Sequence, residues 1–590
     1  MNFDLRTSLL LSIAASAPAL AAQSTVAGVV STSVGAVTDD FVGWSMANIG
    51  DVDGDGADDV AVGAPQAGNP GTGGGATGPG FVRVLSGRTG ALLGTVAGLQ
   101  FGELFGSSIA SLADRDGDGL PDASGDVNGD GVPDFLVGAP WFAGANPRQG
   151  RVAVVSGATR TILTWINNPT PSTGARFGTS LTGCGDLQGS GSPEFVISAP
   201  YWSASGGGVG GRVFLFGWNG TSPSLLATRS GAGSSSGTRL GLRVRCIGDA
   251  DGNGVADLLV QEDGTQTVLM LATNNFLGAP MMVIGAPVGA SGTTFGWSLC
   301  GLGDRDGVPG NEFAIGSPQC DTGTCVSAGF VQIRSASASA STLRQTLVPS
   351  LRQGSIAIRF GAALAMTGDV DGDAVRDLLV TAPAADPIGT TASTDDAGEV
   401  TIFSGAGLTT AGAAQRLLIL DGQSGENAGW SVAGLRDVDG DGRGDLAVGS
   451  PFYLGSGNPT LGKASIVWHA ERSLLYGAGC APLQVAAPEM HINLNQGPVA
   501  GTPFSLRCTQ VASNSLCLLA LGTAPASVPG FLLPPCTLLV APDTSVFAIG
   551  GNLSFTVPNW PIGFQVFWQW AVVGASFPAT MELTPGLRTS

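Results

Sequence analysis

Short apolar runs separated by glycine-rich or acidic stretches recur along the first three quarters of the chain, and residues 105–167 show the unit most clearly. FGSSIASL (105–112) leads into an acidic stretch, DFLVGAP (134–140) follows, then GRVAVVSG (150–157) and TILTWIN (161–167). Each run is short, rich in β-branched residues and bounded by turn residues, so four antiparallel strands are predicted. The same order recurs in seven units, beginning at Phe41, Phe105, Phe177, Leu240, Phe295, Phe360 and Ala428. The second unit is the longest because it carries two acidic stretches in tandem. One four-stranded sheet cannot bury both of its faces, but seven packed around an axis can. The pattern therefore predicts an all-β, seven-bladed β-propeller.

The two ends of the chain depart from this pattern. Residues 1–22 combine Arg6, an apolar run from Leu9 to Ala15 and a small-x-small site at Ala19-Leu20-Ala21, the layout of a signal peptide. The propeller is then expected over 23–475. Residues 25–38 are predicted to supply the outer strand of the last unit, beside GKASIVWHA (462–470), and so to close the ring. The competing strand for that place is RSLLYG (472–477). Residues 477–590 lack acidic stretches, and FQVFWQWAVV (564–573) alternates with Phe564, Val566, Trp568, Trp570 and Val572 on one face. A C-terminal β-sandwich-like domain is expected there.

Composition supports the all-β reading: 93 of 590 residues are Gly, 43% are hydrophobic and only 12% are charged. The formal net charge of −19 argues against nucleic acid and anionic membrane surfaces as partners. No later stretch offers the roughly 18 uninterrupted apolar residues of a membrane span. The nine cysteines include Cys184, Cys246 and Cys300 at similar places in successive units, Cys320 and Cys325 within one short stretch, and four beyond residue 477. Secretion permits disulfides among them, and the pairing is open.

The acidic stretches carry the candidate chemistry. Their spacing, D-x-D-x-D-G-x-x-D, supplies side-chain oxygens at positions 1, 3, 5 and 9. Six copies are intact: Asp51, Asp53, Asp55 and Asp59; Asp114, Asp116, Asp118 and Asp122; Asp126, Asn128, Asp130 and Asp134; Asp249, Asp251, Asn253 and Asp257; Asp369, Asp371, Asp373 and Asp377; Asp437, Asp439, Asp441 and Asp445. Hard oxygen donors at this density suit calcium, which takes six to eight of them. An EF-hand is excluded, because position 12 of the first copy is Val62 and the flanks are strands. Catalysis by paired carboxylates is disfavoured, because the cluster recurs in most units and the chain has only two histidines. Two copies have decayed, with Ser190 and Val308 at position 5, and weak or no metal binding is expected there.

The units resemble FG-GAP repeats, the blades of the integrin α-subunit propeller. FG stands at Phe105-Gly106, Phe177-Gly178, Phe295-Gly296 and Phe360-Gly361, and GAP at 63–65 and 138–140. GAP is varied to SAP, GSP, TAP and GSP in units three, five, six and seven, and unit four lacks both signals. The resemblance implies calcium in β-hairpins on one rim and ligand contacts on the opposite rim. No integrin β-subunit partner is implied. The tandem stretch of unit two also resembles the calcium-wrapped type 3 repeats of thrombospondins, which implies two ions there. The tail is similar to C-terminal modules of secreted bacterial repeat proteins.

The segments after GAP carry aromatic residues: Trp141-Phe142, Tyr201-Trp202 and Phe452-Tyr453. Trp141, Tyr201 and Trp202 are candidates for one ligand surface, since units two and three are neighbours. The structural alternative is that these rings fill the tapering ring centre or cover the blade edges. The resulting expectation is a secreted, non-enzymatic binding or adhesion module for a protein or glycan ligand. The alternatives are a lectin-like carbohydrate binder or the accessory propeller of a secreted polysaccharide- or lipid-degrading enzyme.

Overall fold

A computed structural model of the chain describes residues 27–469, apart from 37–38, 69–75, 123, 205–207, 232–237, 288–293, 320–327, 338–339, 350–357, 387–395, 411–413 and 455–460. Beyond 469 it describes eight strands between Met490 and Thr589. The expectations about residues 1–22, about a 320–325 disulfide and about RSLLYG fall outside the described residues.

The molecule is an all-β, seven-bladed propeller in which each blade is an antiparallel four-stranded sheet. Blade two shows the order: Ser108–Ser111 innermost, then Phe135–Ala139, Arg151–Val155 and Ile162–Asn167 outermost. The only described helical elements are two short 3-10 turns, Thr273–Asn275 and Gly405–Gly407. Second strands are buried on both faces, as Phe135–Ala139 and Asp445–Ser450 illustrate. That burial is why their sequences read as continuous apolar runs rather than alternating ones.

The ring closes as the sequence predicts. Ala27–Val34 pairs antiparallel with Lys463–His469, so that blade seven takes its outer strand from the beginning of the chain. Arg83 of blade one fixes this strand from the other side, donating to Ser33 Oγ and the Val34 carbonyl, each at 2.8 Å.

The glycines of the FG and GAP signals form the lock between blades. The Gly106 amide donates to the Gly138 carbonyl within blade two at 3.0 Å. The Gly106 carbonyl meanwhile turns toward blade one, where a Cβ on Gly63 would stand 2.1 Å from it. No side chain fits at that approach, hence the Gly of GAP. The same carbonyl accepts from Ser45 Oγ at 2.8 Å, and Ser108, Ser298 and Ser431 repeat that bond to Gly178, Gly361 and Gly43. The preceding phenylalanines, Phe105, Phe177, Phe295 and Phe360, are fully buried. In blade four, which lacks GAP, Gln261 stands four residues after Asp257 just as Gly63 does after Asp59, and its amide donates to the Phe295 carbonyl of the next blade at 2.9 Å. The structure also shifts the register of unit one: Gly43, not Val42, holds the FG glycine place, so Val42 rather than Phe41 is the FG phenylalanine equivalent.

A disulfide joins Cys184 of blade three to Cys246 of blade four, while Cys300 of blade five is free and buried. Beyond the ring, Met490–Asn493 runs parallel to Arg416–Asp421, the outer strand of blade six, and pairs with Pro503–Cys508, which pairs in turn with Asn552–Thr556. A second antiparallel group comprises Thr544–Ile549, Leu516–Gly522, Val566–Val573 and Met581–Leu583, with Leu587–Thr589 also on Val566–Val573.

Candidate functional site

Each inner strand runs from its FG glycine to an acidic loop, and the second strand returns to GAP. The acidic loops therefore lie on one rim, and the FG and post-GAP segments on the other. In the first loop the carboxylate of Asp51 accepts backbone amides from Gly54, Asp55 and Gly56, which wraps the turn around it. Gly54 and Gly56 have φ of 81° and 86°, a conformation suited to glycine. Asp59, at position 9, is a fastener: it accepts from Val52 and Asp53 at the loop start and from Gly87 after the third strand. Its burial pushes its carboxyl up to about 7.

The wrapping recurs. Asp126 accepts from Gly129 and Gly131, Asp249 from Asn253 and Gly254, Asp369 from Gly372, Asp373 and Ala374, and Asp437 from Gly440, Asp441 and Gly442. Asn128 accepts from Asp130 and Asp439 from Asp441. Asp134, Asp377 and Asp445 repeat the position-9 bond to Val127, Val370 and Val438. Burial raises Asp134 to about 6, Asp257 to about 7 and Asp377 to about 8.

Carboxylate oxygens of positions 1, 3 and 9 converge within 4.8 Å of one another in Asp51, Asp53 and Asp59, in Asp249, Asp251 and Asp257, and in Asp369, Asp371 and Asp377. Position 5 is turned inward to the loop: Asp55, Asp130, Asn253, Asp373 and Asp441 each accept the amide two residues on. The donor set is all oxygen, and Asp257 Oδ1 is buried without a hydrogen-bond partner. A divalent cation fits such a set, since it would neutralise clustered carboxylates that Arg88, 3.3 Å from Asp55, and Arg443, 3.9 Å from Asp369, offset only in part.

Of the two decayed loops, the fifth-unit copy departs from the expectation. Asp304, Asp306 and Glu312 of the fifth unit converge like the intact copies, despite Val308 at position 5. The signal missed there was Glu312, still a carboxylate at position 9; Arg344 pairs with Asp306 at 2.7 Å. The third unit lacks the middle carboxylate, leaving Asp186 and Glu194 to bind loop amides.

The tandem loop 114–122 does not sit as a rim hairpin. It crosses the axis and closes the central channel on the acidic side. The Gly117 carbonyl accepts from Gly301 of blade five and Arg245 of blade four, and the Asp118 carbonyl from Met366 of blade six. Leu120 is fully buried among Cys300, Leu302 and Met366. Asp114, Asp116 and Asp118 converge, but Arg245 lies 3.1 Å from Asp114 and Arg376 2.5 Å from Asp118. Asp122 lies outside that trio and faces Arg115 at 3.4 Å. Arginines from two other blades thus compensate two of these three carboxylates.

The closed channel leaves a blind funnel of about 660 Å³ that opens on the FG rim. Trp44, Trp297 and Trp430 line it, each following its blade's FG glycine, together with Trp141, Arg176, Arg243, Arg245 and Arg359. Trp141 and Tyr201 lie near each other, with Arg176 between them at 5.8 and 4.0 Å from their ring centres. Arg148 covers Trp141 at 4.2 Å, and Arg239 bonds the Tyr201 hydroxyl at 3.0 Å. Trp202 instead belongs to blade packing: it lies against the hydrophobic cluster of blades two and three, under Arg212 at 3.4 Å, with Nε1 donating to the Thr170 carbonyl. Sequence reasoning missed Trp44, Trp297 and Trp430, although their shared place after the FG glycine was the available signal.

An FG-GAP repeat family model matches residues 42–85, 123–155, 360–403 and 428–467. The chain is 34% identical over 201 residues to integrin alpha-PS2 of Drosophila melanogaster, covering 32% of this chain and 12% of that protein. It is 29% identical over 272 residues to integrin alpha-5 of Xenopus laevis (44% and 23%) and 27% identical over 250 residues to integrin alpha-V of Gallus gallus (40% and 21%). The similarity thus spans less than a quarter of each relative's length. The matched segments hold Gly43, Gly63, Gly138 and Gly361 of the lock between blades, and the chain carries FG-GAP repeats in a propeller similar to that of integrin α chains.

Proposed function

We propose that the protein is a calcium-stabilised extracellular binding module that engages a ligand through the FG rim of its propeller. The observation that carries this reading is the blind funnel, closed below by loop 114–122 and open on the rim away from the acidic loops. A concave site of this volume falls within the range of roughly 300–1,000 Å³ of ligand pockets. Its wall of indoles, guanidinium groups and hydroxyls suits recognition more than bond cleavage, so the reading is of a binder rather than an enzyme. Calcium in the rim loops would be held by Asp51, Asp53 and Asp59 and by their counterparts in blades two, four, six and seven. When bound, it would supply charge neutralisation and fix the rim hairpins. Loop 114–122 is left out of that assignment because Arg245 and Arg376 already compensate it. Similarity to integrin α chains, together with the apolar leader at residues 1–22, supports placement outside the cell.

The test is capture. The immobilised full chain, in calcium buffer, is presented with arrays of glycans and of extracellular proteins. A retained ligand that is lost on replacing Trp297 with Ala, in a protein of unchanged melting temperature, is the expected result. Retention indifferent to every substitution in the funnel would refute the rim as the binding face.

A further inference from the structure

The funnel's charge runs against that of the molecule. The chain holds 45 acidic and 26 basic residues. Yet among the described residues four arginines and no carboxylate line the funnel. Only Arg245 is neutralised, by Asp114 of the plug. Arg176, Arg243 and Arg359 have no carboxylate partner among the described residues. Arg243 is the most telling of these. It lies flat on Trp297 at 4.4 Å, held by Nε to the Trp297 carbonyl and by Nη1 to the Leu242 carbonyl, each at 2.9 Å. Nη2 has no hydrogen-bond partner among the described residues. Its enclosure without a counter-charge pushes it down to about 10. An unpaired guanidinium held in place inside a recess is costly to the fold, and an arriving anion would offset that cost.

We infer that the funnel binds an anionic glycan, a short run of sugar rings bearing carboxylate or sulfate groups. This inference rests on the FG rim being the binding face. The arginines are arranged for the acidic groups: Arg243 and Arg359 approach from blades four and six, and Arg176 stands between Trp141 and Tyr201. A planar guanidinium meets carboxylate or sulfate through paired N–H donors. Trp44, Trp297 and Trp430 line the same recess and add apolar ring surface for the C–H groups of sugar rings, with Trp44 and Trp430 packed on each other at 5.2 Å and Arg243 over Trp297 at 4.4 Å. An acidic peptide would need backbone partners as well. The inner strands are edge strands of their blades, but the edge amides of Val244, Cys246, Gly301 and Met366 are already taken by the neighbouring blade or the plug, which leaves few for strand addition.

The test uses the full chain with calcium present and reads binding by calorimetry. The probes are an oligogalacturonate, a sulfated heparin-derived oligosaccharide, a neutral β-glucan oligosaccharide and an oligo-glutamate peptide of matched charge. One or both acidic oligosaccharides should bind at least tenfold more tightly than the other two, and more weakly as salt rises. Which of the two binds tells carboxylate from sulfate. Arg243→Gln and Arg359→Gln should each weaken that binding about tenfold. Arg359 serves as the second variant because its partly buried side chain has no ion-pair partner among the described residues whose loss would disturb folding. Equal binding of the neutral sugar, lost in Trp297→Ala, would overturn the ligand class and leave the binding face standing. Equal binding of oligo-glutamate would overturn the glycan. Acidic-glycan binding untouched by either arginine substitution, or no binding of any probe, would overturn the inference outright. Loss of the rim reading itself shows separately, as array capture indifferent to the funnel.

Discussion

Ala374 occupies position 6 of its acidic loop with φ of 67°, where the other intact loops carry glycine. An L-residue there costs about 1–2 kcal/mol, and replacing it with glycine returns part of that as extra freedom of the unfolded chain. Ala374→Gly is therefore expected to raise stability by about 0.5–1 kcal/mol, read as a higher melting temperature; a lower one would show that the strain has been misread. The position-9 aspartates set the pH behaviour. Burial raises Asp59, Asp257 and Asp377 from an ordinary value near 3.8 to about 7, 7 and 8. In metal-free protein this contribution is fully present below about pH 3.8 and is lost as pH rises to 7–8. Chelated protein should therefore become more stable on acidification from pH 8 to 5, whereas calcium affinity should fall over the same interval as protons compete for the carboxylates. Calorimetry in EDTA across that range checks the first, and calcium titration the second. These residues were legible in the sequence, since fixed spacing reports side chains that share one turn. The Asp304, Asp306 and Glu312 group was not, because the missing oxygen at position 5 drew attention away from the position that fastens the loop.

Strands and loops differ in how far local pattern could reveal them. The four strands of each blade follow from apolar runs punctuated by glycine, and closure by Ala27–Val34 follows from counting strands in the last unit. Deleting residues 27–34 should bare the Lys463–His469 edge. A lower melting temperature and concentration-dependent self-association, seen by size-exclusion chromatography, are the expected outcomes. Unchanged melting of a monodisperse species would show that closure contributes nothing. The disulfide lay beyond reach of the pattern, since three cysteines held equivalent places and only spatial neighbourhood selects Cys184 and Cys246. Their bridge closes 62 residues of chain, and a double change to alanine should cost about 2–4 kcal/mol, measured by denaturant unfolding. Loop 114–122 is the sharpest case. Its spacing is identical to that of its neighbours, yet Arg245 and Arg376, from blades four and six, make it a plug. Nothing within nine residues encodes a partner more than a hundred residues away.

At the scale of the whole molecule the two rims differ: carboxylates crowd the hairpins of one, where Arg88, Arg344 and Arg443 pair with some of them, while arginines and indoles line the funnel of the other. The difference follows from the blade itself, because every inner strand begins at an FG glycine and ends at an acidic loop. It also makes a global prediction distinct from any single site. With calcium removed, the acidic rim of a chain of net charge −19 is left with clustered like charges, and their repulsion opposes ring closure. Salt screens exposed charges over a Debye length of roughly 10 Å at 0.1 M and 3 Å at 1 M. Sodium chloride should therefore raise the melting temperature of chelated protein substantially and leave calcium-loaded protein almost unchanged, since bound cations have already removed the repulsion. The comparison isolates electrostatics from the loss of coordination bonds, which salt does not restore. If chelated protein melts at the same temperature from 0.05 to 1 M salt, then the hairpin carboxylates do not strain the ring, and calcium acts only by holding each loop in shape.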